Sequence, residues 1–138
     1  MSKNSILIVG ANGIIGSYLY ENLSSNFIVQ TMVSSRCREL KYDFSVDLRN
    51  KSELEKVILK LKPFSTMIFL VGLAHSKGSK KTYAEFYDNN YVTLKNLLNS
   101  FKSNNIKPNK IIYSSSISVY GEVLGKTIYL EDSSLDPK

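Results

Sequence analysis

Ser5-Ile6-Leu7-Ile8-Val9-Gly10-Ala11-Asn12-Gly13-Ile14-Ile15-Gly16 runs from a continuous aliphatic segment, through evenly spaced glycines, into residues with helical periodicity. The Ser5–Val9 run shows no polar alternation, as expected of a strand buried on both faces of a parallel sheet. A helix is expected from about Gly13, carrying Ile14, Ile15, Tyr18, Leu19 and Leu23 on one face. Between the two, Gly10 permits a tight turn, Gly13 lets the main chain come close to a pyrophosphate, and Gly16 lets the helix pack closely on the strand. The first turn of such a helix offers unpaired N–H groups and the positive end of its dipole to phosphate. A glycine triplet alone says little; between a buried strand and an amphipathic helix it is a specific signature.

The alternation of strand and helix signals continues outward. Phe27 to Val33 reads as a second strand and Tyr42 to Val46 as a short third one. Ser52-Glu53-Leu54-Glu55 has the pattern of a capping box, and the helix behind it buries Leu54, Val57, Ile58 and Leu61 before Pro63 stops it. Thr66 to Val71 is another aliphatic strand, followed by a polar loop from His75 to Lys81. A long helix is expected from Thr82 to Asn104, with Tyr83, Phe86, Tyr87, Leu94, Leu97, Leu98 and Phe101 as an apolar stripe that serves the core first. Lys110 to Ser115 is the last clear strand. This order predicts an α/β fold: a parallel sheet with helices on both faces and right-handed crossovers.

Composition narrows the function classes. The 138 residues are 43% hydrophobic and 22% charged, typical of a globular domain rather than a disordered chain. The net charge of +6 raises nucleic acid as a partner. However, the lysines are scattered, the densest group (Lys77, Lys80, Lys81) lies in one polar loop, and no basic helix interleaves aromatics with arginines, so no nucleic-acid partner is expected. No apolar run approaches the length of a membrane span, and no signal peptide is read at the N-terminus, so a cytoplasmic location is expected. With a lone Cys37 and a lone His75, no disulfide and no metal site are expected. His75 follows a strand and either lines the cleft or caps the strand end; Cys37 is read as a bystander.

In the dinucleotide fingerprint, a carboxylate at the end of the second strand holds the ribose 2′-hydroxyl. Here that strand ends Met32-Val33-Ser34-Ser35-Arg36, with two hydroxyls and a guanidinium in place of the carboxylate. Such a set suits a 2′-phosphate, so NADP is favoured over NAD.

The Gly-x-x-Gly-x-x-Gly spacing resembles that of the extended short-chain dehydrogenase/reductase family, the NAD-dependent epimerase/dehydratase type that includes sugar-nucleotide 4-epimerases, dehydratases and 4-ketoreductases. Further motifs resemble the family in order: Asp47-Leu48, Leu70-Val71-Gly72-Leu73-Ala74, Tyr87-Asp88-Asn89-Asn90, Ser114-Ser115-Ser116-Ile117-Ser118-Val119-Tyr120-Gly121 and Glu131-Asp132. The resemblance implies a Rossmann-type sheet, here truncated after about the fifth strand. It implies cofactor contacts from Gly10, Asn12, Gly13, Ile14, Ile15, Gly16, Asp47, Leu48, Val71, Gly72, Leu73, Asn90 and Ser114, beside Ser34, Ser35 and Arg36. It implies that Asp47-Leu48 meets the adenine and that Asn90 is structural and close to the site. It makes Ser116 the catalytic serine that hydrogen-bonds the reacting oxygen.

The family's Tyr-x-x-x-Lys pair, which exchanges the substrate proton, should follow Ser116, and it does not occur there. The string Tyr91-Val92-Thr93-Leu94-Lys95 precedes Ser116 and is read as a coincidence; Tyr120 is not the catalytic tyrosine either. The whole chain, residues 1–138, is therefore read as the N-terminal NAD(P)-binding portion of a longer enzyme, without the family's C-terminal substrate region and inactive by itself. The parent would transfer a hydride at C4 of a nucleotide sugar for polysaccharide biosynthesis. The alternative is a non-catalytic dinucleotide-binding module or an inactive remnant. Leaving the fifth strand on an edge should promote self-association.

Overall fold

The computed structural model describes residues 5–37, 39–73, 81–121 and 128–136. β1 (Ser5–Val9) lies at the centre, every residue buried. β2 (Ile28–Val33), β3 (Phe44–Ser45), β4 (Thr66–Phe69) and β5 (Lys110–Tyr113) complete a parallel sheet in the order β3-β2-β1-β4-β5. Val9 stands opposite Met32 on one side and Phe69 on the other. The expected sheet is thus present, and every strand but β1 is shorter than the run that announces it. β4 ends at Phe69 and β5 at Tyr113, each giving up one more ladder bond (Leu70 N–H to Val9 O, 2.9 Å; Ser114 N–H to Phe69 O, 3.2 Å) before the chain peels away to form the rim of a cleft.

Alternation along the strands sorts the core into two layers. Leu7, Val9, Met32, Met67 and Phe69 point to one face, where Leu54 and Ile58 of α2 (Lys51–Ile58) and Leu97 and Phe101 of α4 (Thr93–Ser103) cover them. Ile6, Ile8, Val33 and Ile68 point to the other, against Leu19, Tyr20 and Leu23 of α1 (Ile14–Leu23) and against Tyr42. Helices on both faces follow from this two-sided burial. The face of α1 is narrower than expected: Ile14, Ile15 and Tyr18 are exposed, because the helix meets the sheet through the small Gly16 and its second half only.

One helix start differs from expectation, and the capping box lies on another helix. α2 begins at Lys51 and is capped by Asn50, whose Oδ1 accepts the Glu53 N–H at 3.3 Å, so Ser52 is inside the helix. Glu55, freed from a capping role, accepts from Asn104 Nδ2 at 2.8 Å and ties α2 to α4; Ser100 and Asn104 together hold its carboxyl below the usual range. The capping box belongs instead to Thr82 and Glu85 at the start of α3 (Tyr83–Tyr87), with Glu85 Oε2 accepting the Thr82 N–H at 2.8 Å.

The long helix is interrupted by a π-helical turn, Asp88–Val92. There the Thr93 N–H reaches back to Asp88 O, and side chains supply bonds from four residues on: Asn89 Nδ2 to Glu85 O (2.7 Å) and Thr93 Oγ1 to Asn89 O (2.7 Å). The extra residue rotates the two halves of the apolar stripe apart. Leu97 and Phe101 are buried and Leu94 packs on them, whereas Tyr83, Tyr87 and Tyr91 are exposed and pack on one another. The stripe is core in its second half only.

Candidate functional site

The cleft opens where β1, β2 and β4 end. Gly10 turns the chain there with φ of 91°, a conformation costly for any residue with a side chain. Its N–H bonds Met32 O at 2.8 Å, which pins the turn to β2. α1 then starts at Gly13 with no side-chain cap and no acidic residue in its first turn. Gly13 lines the cleft, so the positive dipole end of α1 adjoins it with no acidic side chain in that first turn.

The glycines divide by what surrounds them. A Cβ at Gly16 would lie 2.2 Å from Gly10 O and 2.8 Å from Ala11 Cα, so the fold itself forbids one. A Cβ at Gly13 would meet only Gly10 O, at an ordinary 3.4 Å, and its φ of −77° suits any residue. Nothing inside the described residues asks for glycine at position 13. The space a side chain would take there lies in the cleft, which is what a closely approaching phosphate requires.

The cleft has a volume of about 450 Å3 and gathers most of the expected cofactor residues: Gly10, Asn12, Gly13, Ser34, Ser35, Arg36, Asp47, Leu48, Val71, Gly72 and Leu73. Gly16 lies beneath its floor, and Ile14 and Ile15 project away from it into solvent. Asn90 does not line it. Its Oδ1 accepts the Leu73 N–H at 2.6 Å and its Nδ2 donates to Leu73 O at 3.2 Å. It acts as a strand would, fixing the main chain of the Val71–Leu73 rim, and it can do so because the π turn presents it to that segment. Ser114 and Ser116 stand beyond the end of β5, outside the cleft lining; Ser116 Oγ accepts the Ser118 N–H and caps the short 3-10 turn Ile117–Tyr120. Tyr91 and Lys95 line no part of the cleft: Tyr91 packs on Tyr87, and Lys95 Nζ lies 5.4 Å from the Tyr91 ring centre. Ala74 and His75, like Lys77 and Lys80, lie outside the described residues.

The electrostatics concern one corner. Neither Glu39 nor Asp43, which follow β2, lines the cleft: Glu39 pairs with Lys41 Nζ at 3.3 Å, and Asp43 Oδ2 accepts both the N–H and the hydroxyl of Thr31 at 2.8 Å. Asp47 does line it, but its carboxylate is engaged by Arg49, a residue the sequence reading passed over. The Arg49 guanidinium, and behind it the charge of Arg36, hold the Asp47 carboxyl below its ordinary range. Also missed were Lys81, Glu85, Asp88, Asn89 and Thr93, which bring the far wall of the cleft from the segment before α3, from α3 and the π turn, and from the start of α4. The Tyr87-Asp88-Asn89-Asn90 string was a signal for that wall; a regular helix drawn through it could not show which side faced the cleft.

No helix among the described residues is long and apolar enough to cross a membrane, and no cluster of three or more His, Cys, Asp or Glu able to hold a metal occurs among them.

A model of the NAD dependent epimerase/dehydratase family matches residues 6–138. Among curated proteins the chain is similar to the Bifunctional protein GAL10 of Candida maltosa, 33% identical over 89% of this chain and 88% of that sequence. It is also similar to a UDP-glucose 4-epimerase of Pisum sativum, 31% identical over 88% of this chain but only 39% of that one. A crystal structure of UDP-glucose 4-epimerase superposes with a TM-score of 0.76 at 25% identity, over 97% of this chain and 42% of that one. The Thermus thermophilus UDP-glucose 4-epimerase in complex with NAD shares the fold at a TM-score of 0.79 and 23% identity, over 97% of this chain and 45% of that one. The chain thus spans about two fifths of the pea sequence and of both solved enzymes.

Proposed function

The chain belongs to the NAD-dependent epimerase/dehydratase family, and on that premise we propose that its cleft holds a nicotinamide dinucleotide serving hydride transfer at C4 of a nucleotide sugar. The observation that carries the reading is the uncapped start of α1 facing a cleft beside a glycine that only a ligand makes necessary. In this reading the first turn of α1 and its positive dipole end hold the pyrophosphate, since the Ala11 and Gly13 N–H groups already bond Met32 O and Gly10 O. Asp47 and Leu48 flank the adenine end, and Val71 to Leu73, held by Asn90, form the wall toward the nicotinamide. The bound dinucleotide supplies or accepts the hydride. Ser116 would steady the reacting oxygen by a hydrogen bond, releasing its present partner Ser118. The sugar-bearing nucleotide is the partner, and the bare edge of β5 makes self-association part of the same proposal.

Titrating the 138-residue chain with reduced dinucleotide, followed by nicotinamide fluorescence, should give weak but saturable binding. Absence of saturation with both NADH and NADPH at millimolar concentration would remove the proposal.

Within it, the cofactor is NADP rather than NAD. Ser34, Ser35 and Arg36 line the corner beyond β2, and neither carboxylate that follows β2 reaches it. Arg36→Ala should weaken NADPH selectively, since a charge-assisted hydrogen bond is worth about 1.5–3 kcal/mol and NADH has no group to lose it. Equal weakening of NADH and NADPH would assign Arg36 elsewhere.

A further inference from the structure

Asp47 and Arg49 leave the end of β3 two residues apart and grip each other in the wall of the cleft. Arg49 Nε donates to Oδ1 at 2.9 Å, its terminal nitrogen to Oδ2 at 2.6 Å, and its main-chain N–H to Oδ1 at 3.0 Å. Both side chains remain partly exposed, 32% for Asp47 and 43% for Arg49, so the pair adds little to stability. Its effect lies in the field it sets. The carboxylate feels the charges of both Arg49 and Arg36. An anion bound at Arg36 would therefore meet Asp47 as a like charge unless Arg49 cancels it. The other charged groups of the cleft do not substitute for Arg49: Lys81 is engaged by Glu85 at 2.9 Å, and Asp88, whose charge also reaches Arg49, is itself negative.

We propose that Arg49 is a specificity-positioning residue. By holding Asp47 in a two-pronged ion pair, it removes the repulsion that this carboxylate would exert on a phosphate at Ser34, Ser35 and Arg36, and so sets the preference of the cleft for 2′-phosphorylated adenosine ligands. The role rests on the dinucleotide reading above and extends it to a residue that need not touch the ligand.

The probes are 2′,5′-ADP and 5′-AMP, which differ by the 2′-phosphate alone, titrated calorimetrically into the 138-residue chain. Arg49→Gln frees the Asp47 charge. It should lower the affinity ratio of 2′,5′-ADP to 5′-AMP by about fivefold to tenfold at low salt and by much less in 1 M salt. Asp47→Asn combined with Arg49→Gln removes both charges and should restore the ratio to near its original value. Arg49→Lys keeps the charge and should also retain the ratio, which guards against a glutamine variant that misfolds. Equal weakening of both ligands by Arg49→Gln would make the pair merely structural. A double variant as poor as Arg49→Gln would put the guanidinium on the phosphate itself. Either result overturns the proposal. An unchanged ratio in Arg49→Gln with binding intact removes this role alone, whereas failure of the unsubstituted chain to bind either probe removes the dinucleotide reading and this role with it.

Discussion

Gly16→Ala should destabilise the chain by about 3 kcal/mol or more, although the same substitution in an exposed helix gains about 1 kcal/mol. The added Cβ would sit 2.2 Å from Gly10 O, 2.8 Å from Ala11 Cα and 3.0 Å from Ala11 C. These are main-chain atoms that cannot rotate aside. Ala11 is fully buried, and Gly10 is bonded to Met32 O and holds a positive φ. Relief requires α1 to lift from β1, which opens the layer formed by Ile6, Ile8 and Leu19. Overpacking against rigid neighbours costs about 3 kcal/mol or more, against a total stability of about 5–15 kcal/mol. Gly13→Ala is the matched control. Its Cβ has room, so it should cost at most about 1 kcal/mol while abolishing dinucleotide binding. Urea unfolding of both variants, with a binding titration on the second, separates a glycine the fold needs from one the ligand needs. A Gly16→Ala protein within 1 kcal/mol of the parent would show that the helix has more freedom than its packing implies.

That separation also marks how far the sequence could be read. The Gly10–Gly16 loop and the central strands were legible because each rests on a local rule: aliphatic runs make strands buried on both sides, and glycine at a strand–helix junction makes a close approach. Features that depend on which side of an element faces inward were not. Ile14, Ile15 and Tyr18 have the spacing of a buried face yet are exposed, because spacing gives a stripe but not the partner that covers it. Tyr83 and Tyr87 left the stripe because the π turn adds one residue, a shift no periodicity count registers. Ser52 and Glu55 match a capping box, but Asn50, two residues earlier, accepts the Glu53 N–H and starts the helix ahead of Ser52, and Glu55 is claimed by Asn104 across the interface with α4.

The site shows the same division. Residues carried by the strand ends, from Gly10 to Leu73, converge on one cleft as the topology of a parallel sheet requires. Arg49 was passed over because a charge two residues after Asp47 reads as solvated until its guanidinium is seen on the carboxylate. Asn90 was identified as structural; the structure adds that it works by taking both polar groups of Leu73.

The 138-residue chain should self-associate through β5, and Ile112→Lys should abolish it. The two edges of the sheet differ. β3, at one edge, has two residues, too short to template another chain; β5, at the other, has four and is apolar after Lys110. Register with β4 fixes where its side chains point. Ile111 and Tyr113 stand opposite Met67 and Phe69 on the α2–α4 face, and Tyr113 stacks on Phe69 at 6.0 Å. Ile112 stands opposite Ile68 on the α1 face, and α1 covers β1 and β2 rather than β5. Ile111, Ile112 and Tyr113 are 46%, 45% and 47% exposed, beside main-chain groups that have no strand partner on the outer side among the described residues. Burying about 300 Å2 of such surface at about 25 cal/mol per Å2 yields about 7 kcal/mol, while association costs about 4–15 kcal/mol. The balance gives a weak, concentration-dependent dimer rather than a permanent one. A lysine at position 112 places a charge on the uncovered face without disturbing the Ile111 and Tyr113 packing, so the fold should survive and the edge should stop pairing. Sedimentation velocity over a hundredfold range of concentration reads both effects. A parent chain that stays monomeric throughout, with a sharp cooperative melt, would show that this edge is not adhesive.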